Sequence, residues 1–175
     1  GSLRPRFELE KDDWRDRAVF RKKINDIQSV SVEYPKLRNK SFKLNRTENG
    51  YDVQPFYNIS VPINRPVSEG DVEAFLMGFE ELIAENFANN FKKQDSVINT
   101  IPFAVFKVTD KNGKERQAAI FARESLDKSG MVRSETIERY WAAVSDENTK
   151  DFMVVQHRVF EKVLWAYEYL FERPS

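Results

Sequence analysis

The sequence contains no cysteine and a single histidine, His157. The absence of cysteine excludes disulfides, iron–sulfur clusters, thiolate metal sites and cysteine nucleophiles. One histidine cannot supply the usual zinc ligand set, and the six glycines form no phosphate-binding pattern. We therefore expect neither a metal nor another cofactor, and we assign His157 a structural role just ahead of the last helix.

The chain also lacks an excess of charge of either sign and a long apolar run. Its 175 residues include 28 basic and 28 acidic side chains. Balanced charge argues against a global electrostatic grip on nucleic acid, and no run reaches the roughly 18 apolar residues of a transmembrane helix. The first two residues, Gly1-Ser2, are typical of a cleaved expression tag. We expect a native N-terminal segment to precede this sequence.

Residues 1–23 form a charged lead-in, which we separate from a single domain over residues 24–175. Acidic side chains interleave with the basic ones, so a solvated segment of mixed charge is one interpretation. The local positive excess leaves two others open: proximity to anionic lipid head groups and, more weakly, contact with nucleic acid. Val19 and Phe20 predict that the end of the lead-in docks on the domain as a short helix or strand. The basic residues concerned are Arg15, Arg17, Arg21, Lys22 and Lys23.

Alternation of apolar and polar residues predicts several β-strands. Two of them, residues 103–109 and 117–123, are apolar on both faces, which is typical of central strands covered on two sides. Asn49-Gly50 and Asn112-Gly113 are hairpin turn signals, and three prolines predict an irregular connection over residues 55–67. The predicted strands cover residues 27–34, 41–46, 51–53, 103–109, 117–123, 140–145 and 151–156.

Two further segments carry apolar residues at three- and four-residue steps, which is typical of helices. The first begins near Ser68, where Ser68-Glu69-Gly70-Asp71 has the spacing of a capping box, and runs to about Asn90. The second covers residues 157–171. These elements predict an α+β domain, a mainly antiparallel sheet with two principal helices, compatible with a weak duplication of a strands-then-helix unit. The residues expected to be buried on the helices are Phe75, Phe79, Ile83, Phe160, Leu164 and Phe171.

No pattern of catalytic residues stands out in the sequence. Ser125 and Lys128 match the Ser-x-x-Lys arrangement, in which a buried lysine activates a serine, but no companion motif accompanies them. Paired carboxylates such as Glu80-Glu81 and Asp146-Glu147 are better explained as solvated surface. A small hydrolase with a site of scattered carboxylates, or of Ser125 and Lys128, remains the alternative to a non-catalytic domain.

Trp165 and Tyr169 lie one helical turn apart in the predicted closing helix, off its main apolar stripe. Exposed aromatic pairs mark contacts with partners, so the two residues are candidates for a partner contact. A terminal helix packed in a groove would instead bury both of them. The sequence favours burial and leaves the other outcome open.

The layout from Asp16 to Tyr169 resembles a bacterial family of unknown function. The resemblance is carried by residues 15–20 ahead of the first strand, by the second strand with its Asn-Gly turn, by the helix after Arg65-Pro66, and by the strand over residues 103–110. Members of that family carry an N-terminal membrane anchor and are encoded near ABC transport systems of the gliding-motility type. The resemblance implies a domain held outside a bacterial membrane, and it supplies no catalytic residues.

We therefore expect a non-catalytic module of the cell envelope, on the periplasmic side or at the surface, that binds a protein partner. A glycan is the less favoured ligand, nucleic acid is an unlikely one, and a cytoplasmic location is the alternative.

Overall fold

The computed structural model describes residues 15–123 and 137–174. Within them, eight strands form one sheet in the order β4-β3-β2-β7-β8-β9-β10-β6, and two short strands, β1 and β5, form a second sheet. Every neighbouring pair is antiparallel. The strands are β1 Ala18–Phe20, β2 Ile27–Glu33, β3 Phe42–Thr47, β4 Gly50–Pro55, β5 Leu82–Ile83, β6 Asn86–Phe87, β7 Ala104–Asp110, β8 Glu115–Arg123, β9 Arg139–Asp146 and β10 Lys150–Gln156.

The helices are short. Glu69–Met77 (α1), Gln94–Ile98 (α2) and His157–Phe160 (α3) are α-helical, and four single turns of 3₁₀ helix accompany them. The domain is thus α+β in composition but dominated by strands, and the predicted antiparallel sheet is confirmed. The duplication of a strands-then-helix unit stays a prediction. The 3₁₀ turns are Ile24–Asp26, Arg38–Lys40, Glu161–Val163 and Tyr167–Leu170.

One face of the large sheet is buried and the other is partly open. In β2, Val30 and Val32 are buried whereas Ser29 and Ser31 are only partly so, as their alternation predicts. In the central strand β7, Phe106 is buried while its neighbour Lys107 is exposed, whereas in β8 the adjacent Ile120 and Phe121 are both buried. The prediction that these two strands are central is confirmed; the prediction that both of their faces are covered holds only in part, at Phe121 but not at Lys107.

The buried face packs, through phenylalanine rings, against α1 and against residues 157–171, which we call the closing segment. Phe79 contacts Phe20, Phe75 and Phe106 edge to face, with ring centroids 5.4, 5.2 and 6.2 Å away. Such pairs add to the hydrophobic gain from burying large side chains. Four of the six helical residues expected in the core are buried (Phe75, Phe79, Phe160 and Phe171), while Ile83 and Leu164 are only half-buried.

The predicted first helix starts as expected and ends early. Ser68 caps it by accepting a hydrogen bond from the backbone N–H of Asp71, but the helix stops at Met77 instead of continuing to about Asn90. Beyond Gly78 the chain lies against the closing segment: a β-carbon on Gly78 would sit 2.7 Å from Val163 Cγ1 and 3.0 Å from the Lys162 carbonyl oxygen. The apolar residues that extend the helical pattern are used as strands, since β5 pairs with β1 and β6 pairs with β10.

The predicted closing helix is also broken. Only residues 157–160 are α-helical, and Leu164 adopts a non-helical conformation (φ −85°, ψ 68°) between two 3₁₀ turns. The apolar spacing still serves burial, because a three- to four-residue step suits successive 3₁₀ turns as well as an α-helix. Among residues 15–123 and 137–174, no helix is long and apolar enough to cross a membrane.

Candidate functional site

The charged lead-in is built into the domain from Arg15 onward. Arg15 donates to both carboxylate oxygens of Asp151 at 3.0 and 2.9 Å, and its guanidinium lies 4.7 Å from the ring centre of Phe87. The next residues form β1, in which Val19 and Phe20 are buried. The prediction that the end of the lead-in docks as a short strand is confirmed.

Three of the other four basic residues between positions 15 and 23 also face partners. Arg17 donates to the Glu85 carbonyl at 2.8 Å, and Lys22 lies 3.4 Å from an Asp110 carboxylate oxygen. Arg21 pairs with Asp16 at 2.9 Å and with Glu81. Lys23 is exposed and makes no ion pair with a described residue. Among the described residues of this segment, Arg15, Arg21 and Lys22 therefore face carboxylates of the domain.

A cleft of about 540 Å³ lies between the lead-in and the turns that join β7 to β8 and β9 to β10. Arg116 stands at its centre: Nε donates to the Val19 carbonyl at 2.6 Å, Nη2 to the Ala18 carbonyl at 3.2 Å, and Nη1 to Asp146 Oδ2 at 2.6 Å. One side chain thus joins β1, β8 and the β9–β10 turn.

Two of the four aspartates that line the cleft act as turn caps. Asp110 Oδ1 accepts from the backbone N–H groups of Asn112 and Lys114, both at 2.9 Å, in a turn where Gly113 has a positive φ of 84°. Asp146 Oδ1 accepts from Asn148 and Thr149 at 2.9 and 2.8 Å.

These contacts fix the ionisation of both carboxylates. Burial opposes the charge of Asp146, but the backbone donors, the Thr149 hydroxyl and Arg116 outweigh it and lower its pKa to about 2. The Lys114 backbone N–H is the largest cause of the lowered pKa of Asp110; burial opposes it, and Asn112 and Lys22 add to it. Both groups are ionised at neutral pH, so neither can serve there as the proton donor of a carboxylate pair.

The described residues do not come together in an arrangement that supports the hydrolase alternative. Among the described residues, no group of three or more His, Asp or Glu side chains could hold a metal ion. His157 pairs its Nδ1 with the buried Tyr140 hydroxyl at 2.9 Å, which is a structural contact. Burial raises the pKa of Tyr140 to about 12. Ser125 and Lys128 lie outside the described residues.

Trp165 and Tyr169 do not share a helical face, because the backbone between them is not α-helical. Trp165 is half-buried: its ring centre lies 5.9 Å from that of Phe75, and Nε1 donates to the Lys162 carbonyl at 3.1 Å. Tyr169 is 57% exposed. Of these two residues, Tyr169 is the one whose ring is largely exposed.

Three exposed branched apolar side chains lie together at a second surface. Ile59 is 75% exposed, Val61 84% and Leu37 49%. The three line one open groove of about 670 Å³ between residues 35–39 and 59–61, which we call the apolar groove. Tyr169 belongs to the same region, because the 3₁₀ turn Arg38–Lys40 lies against the turn Tyr167–Leu170 and Lys40 pairs with Glu168.

Cations and aromatic rings support one side of the apolar groove. The guanidinium of Arg38 lies 5.3 Å from the ring centre of Tyr57, and Lys43 Nζ lies 5.1 Å from that of Phe56. The Tyr57 hydroxyl donates to Glu33. Burial, followed by this hydrogen bond, raises the pKa of Tyr57 to about 12.

The groove is not predicted from the sequence, because residues 55–67 are predicted only as an irregular connection. A signal was present: Ile59, Val61 and Ile63 recur at every second position between prolines. In the structure Ile63 packs against the core while the first two face outward.

No protein-family model matches the chain, and neither a curated protein nor a solved structure does.

Proposed function

We propose that this chain is a non-catalytic module that binds a protein partner through the apolar groove. The observation that carries the proposal is the exposure of Leu37, Ile59 and Val61 side by side in one concave surface. Single exposed apolar residues are ordinary, but clustered ones mark interaction sites. Fully burying such a side chain gains roughly 1.5–3 kcal/mol, so a partner that covers all three gains several kcal/mol before association costs.

A photo-cross-linking residue in place of Ile59 tests the proposal in the native host. The same residue in place of Lys111, which is exposed on the β7–β8 turn, is the control. We expect a discrete cross-linked protein from position 59 only, and its loss when Leu37→Asp is added. The same products from both positions, or products that persist with Leu37→Asp, would overturn the proposal.

We further propose that the module works in the cell envelope of a bacterium, tethered by a native segment ahead of this sequence. The support is the resemblance of residues 16–169 to a membrane-anchored family. The basic residues of the lead-in are a weak contribution, because a cation near anionic lipid gains about 1 kcal/mol at most and Arg15, Arg21 and Lys22 already face carboxylates.

Fractionation separates this location from a cytoplasmic one. The chain as given should stay in solution with anionic vesicles at physiological salt. The natural full-length protein, expressed in its own host, should fractionate with membranes. Recovery of that full-length protein in the soluble cytosolic fraction would contradict an envelope location.

A further inference from the structure

We infer that the occupant of the apolar groove is an acidic, extended polypeptide segment with apolar side chains at every second position. This inference rests on the proposed function and adds the chemistry of the partner. Two observations support it: the charge of the residues that line the groove, and the position of Ile59 and Val61 two residues apart.

The charge around the groove has one sign. Its lining residues include Lys36 and Arg38 and no acidic residue. Both cations are exposed, and neither makes an ion pair with a described residue. Arg38 instead lies over the Tyr57 ring, which leaves its N–H donors available to a carboxylate. In a chain with equal numbers of acidic and basic residues, an apolar surface rimmed only by cations favours a partner with acidic flanks.

Nearby charges do not cancel this rim. Lys40 is held by Glu168, so that pair is internally neutral. Glu33, which accepts the hydrogen bond of the Tyr57 hydroxyl, contributes one negative charge beside the two cations of the lining. Lys43 lies over the Phe56 ring and is not part of the lining. The positive excess is therefore that of Lys36 and Arg38, the two charged residues of the lining.

Spacing favours an extended segment. Ile59 and Val61 are two residues apart, and a turn closed by the Ser60 N–H to the Tyr57 carbonyl at 3.1 Å supports the loop that carries them. An extended partner places alternate side chains on one face about 6.6 Å apart, so two of them can lie against Ile59 and Val61, which line the same groove. Acidic side chains at the intervening or flanking positions would then reach Lys36 and Arg38.

Selection from a random peptide library displayed on phage tests the inference. The immobilised baits are the natural chain and three double variants: I59S/V61S, K36E/R38E and K111E/K114E. The last pair changes net charge as K36E/R38E does, but on the β7–β8 turn. All substituted side chains are exposed, so each variant should melt within about 2 °C of the natural chain.

We expect the natural chain to enrich acidic peptides with apolar residues at alternate positions. Their affinity should fall at least tenfold with K36E/R38E, weaken as salt is raised, and disappear with I59S/V61S. K111E/K114E should leave it unchanged.

The outcomes separate the inference from the proposed function. Neutral apolar peptides that bind K36E/R38E equally well would overturn the acidic partner and leave the groove a binding surface. Enriched peptides that bind I59S/V61S unchanged, or no enrichment at all, would overturn both. A reversible dimer in sedimentation velocity that I59S/V61S abolishes would show a second copy of the chain to be the occupant. Binding to phosphatidylglycerol vesicles that requires Lys36 and Arg38 would show it to be a lipid surface. Either result overturns the acidic segment.

Discussion

Arg116 and Asp146 face each other directly across the β8–β9 pair, with Nη1 and Oδ2 2.6 Å apart. The arginine also reaches the carbonyl groups of β1, while the other carboxylate oxygen of Asp146 caps the β9–β10 turn. Both side chains are about a quarter exposed. A single ion pair thus ties together the small sheet, the large sheet and one of its hairpins.

This pair should make stability depend on pH in the acid range. The pKa of Asp146 is lowered from 3.8 to about 2 in the folded chain, so its contribution is complete above roughly pH 5 and is lost as pH falls toward 2. The shift corresponds to about 2 kcal/mol. Urea unfolding at pH 7, 5, 3 and 2 should show natural chain and D146N differing by about that amount at pH 7 and converging near pH 2.

Other carboxyl groups titrate in both proteins, so only the difference between them reports on Asp146. E147Q, at the exposed neighbouring residue, is the control and should follow the natural chain at every pH. A difference between natural chain and D146N that stays constant from pH 7 to pH 2 would show that Asp146 stabilises the fold by shape alone.

Arg15 should be required for stability although it lies in the lead-in. Asp151 is 8% exposed, and removal of its arginine partner leaves a nearly buried carboxylate with the Asn89 amide. Because Arg15 is itself 42% exposed, we expect R15A to cost about 2 kcal/mol rather than the larger figure for a fully buried pair. Urea denaturation measures it.

K23A is the matched control, since Lys23 is an exposed cation of the same segment, and it should change stability by less than about 0.5 kcal/mol. R15A/D151N should be less destabilised than the sum of the two single variants, because the unpaired charge is then gone. Equal effects of R15A and K23A would mean that the ion pair does not hold the lead-in.

Phe79 should be among the most sensitive positions of the core. It is fully buried and contacts three other phenylalanine rings, so F79A should cost about 3–5 kcal/mol of unfolding free energy. M77A removes a side chain that is 58% exposed, two residues away at the end of α1. It should be nearly neutral in the same thermal and urea melts. A loss below about 1 kcal/mol for F79A would indicate a core that collapses around the cavity.

Gly78 should resist substitution for steric reasons rather than conformational ones, because its φ of −61° suits any residue. A methyl group there would meet Val163 and the Lys162 carbonyl, so we expect G78A to cost about 1–3 kcal/mol. G78A/V163A should be less destabilised than the two single changes added together. Strict additivity in a double-mutant cycle would contradict the close approach.

The strands could be predicted from the sequence because period-two alternation, as in Val30-Ser31-Val32, reports burial on one face directly. The two long helices could not, because Leu82, Ile83 and Phe87 satisfy a helical step and short strand pairing equally well. Which one forms depends on β1 and β10, which lie far away in the sequence.

The candidate site was hidden for a similar reason. The sequence marks Ile59 and Val61 as apolar, and apolar residues are ordinarily buried; only the path of the connection after β4 turns them outward. Trp165 and Tyr169 were judged as a pair on one helical face. The non-helical backbone at Leu164 places them on different faces, so that Trp165 is half-buried and Tyr169 is exposed.

The sheet order also sets a mechanical arrangement. Arg15 attaches the lead-in to the large sheet through Asp151 on β10. Residues 35–39 of the apolar groove come directly after β2, which is four positions away in the order of strands. Neighbouring strands lie about 4.8 Å apart, which puts roughly 19 Å of sheet between the two points. A pulling force applied ahead of residue 15 would act first on the ion pair between Arg15 and Asp151 and on the β1–β5 pairing. It would not act directly on the loops of the groove. If the proposed anchor and partner are both present, the domain separates their attachment points by the width of these strands.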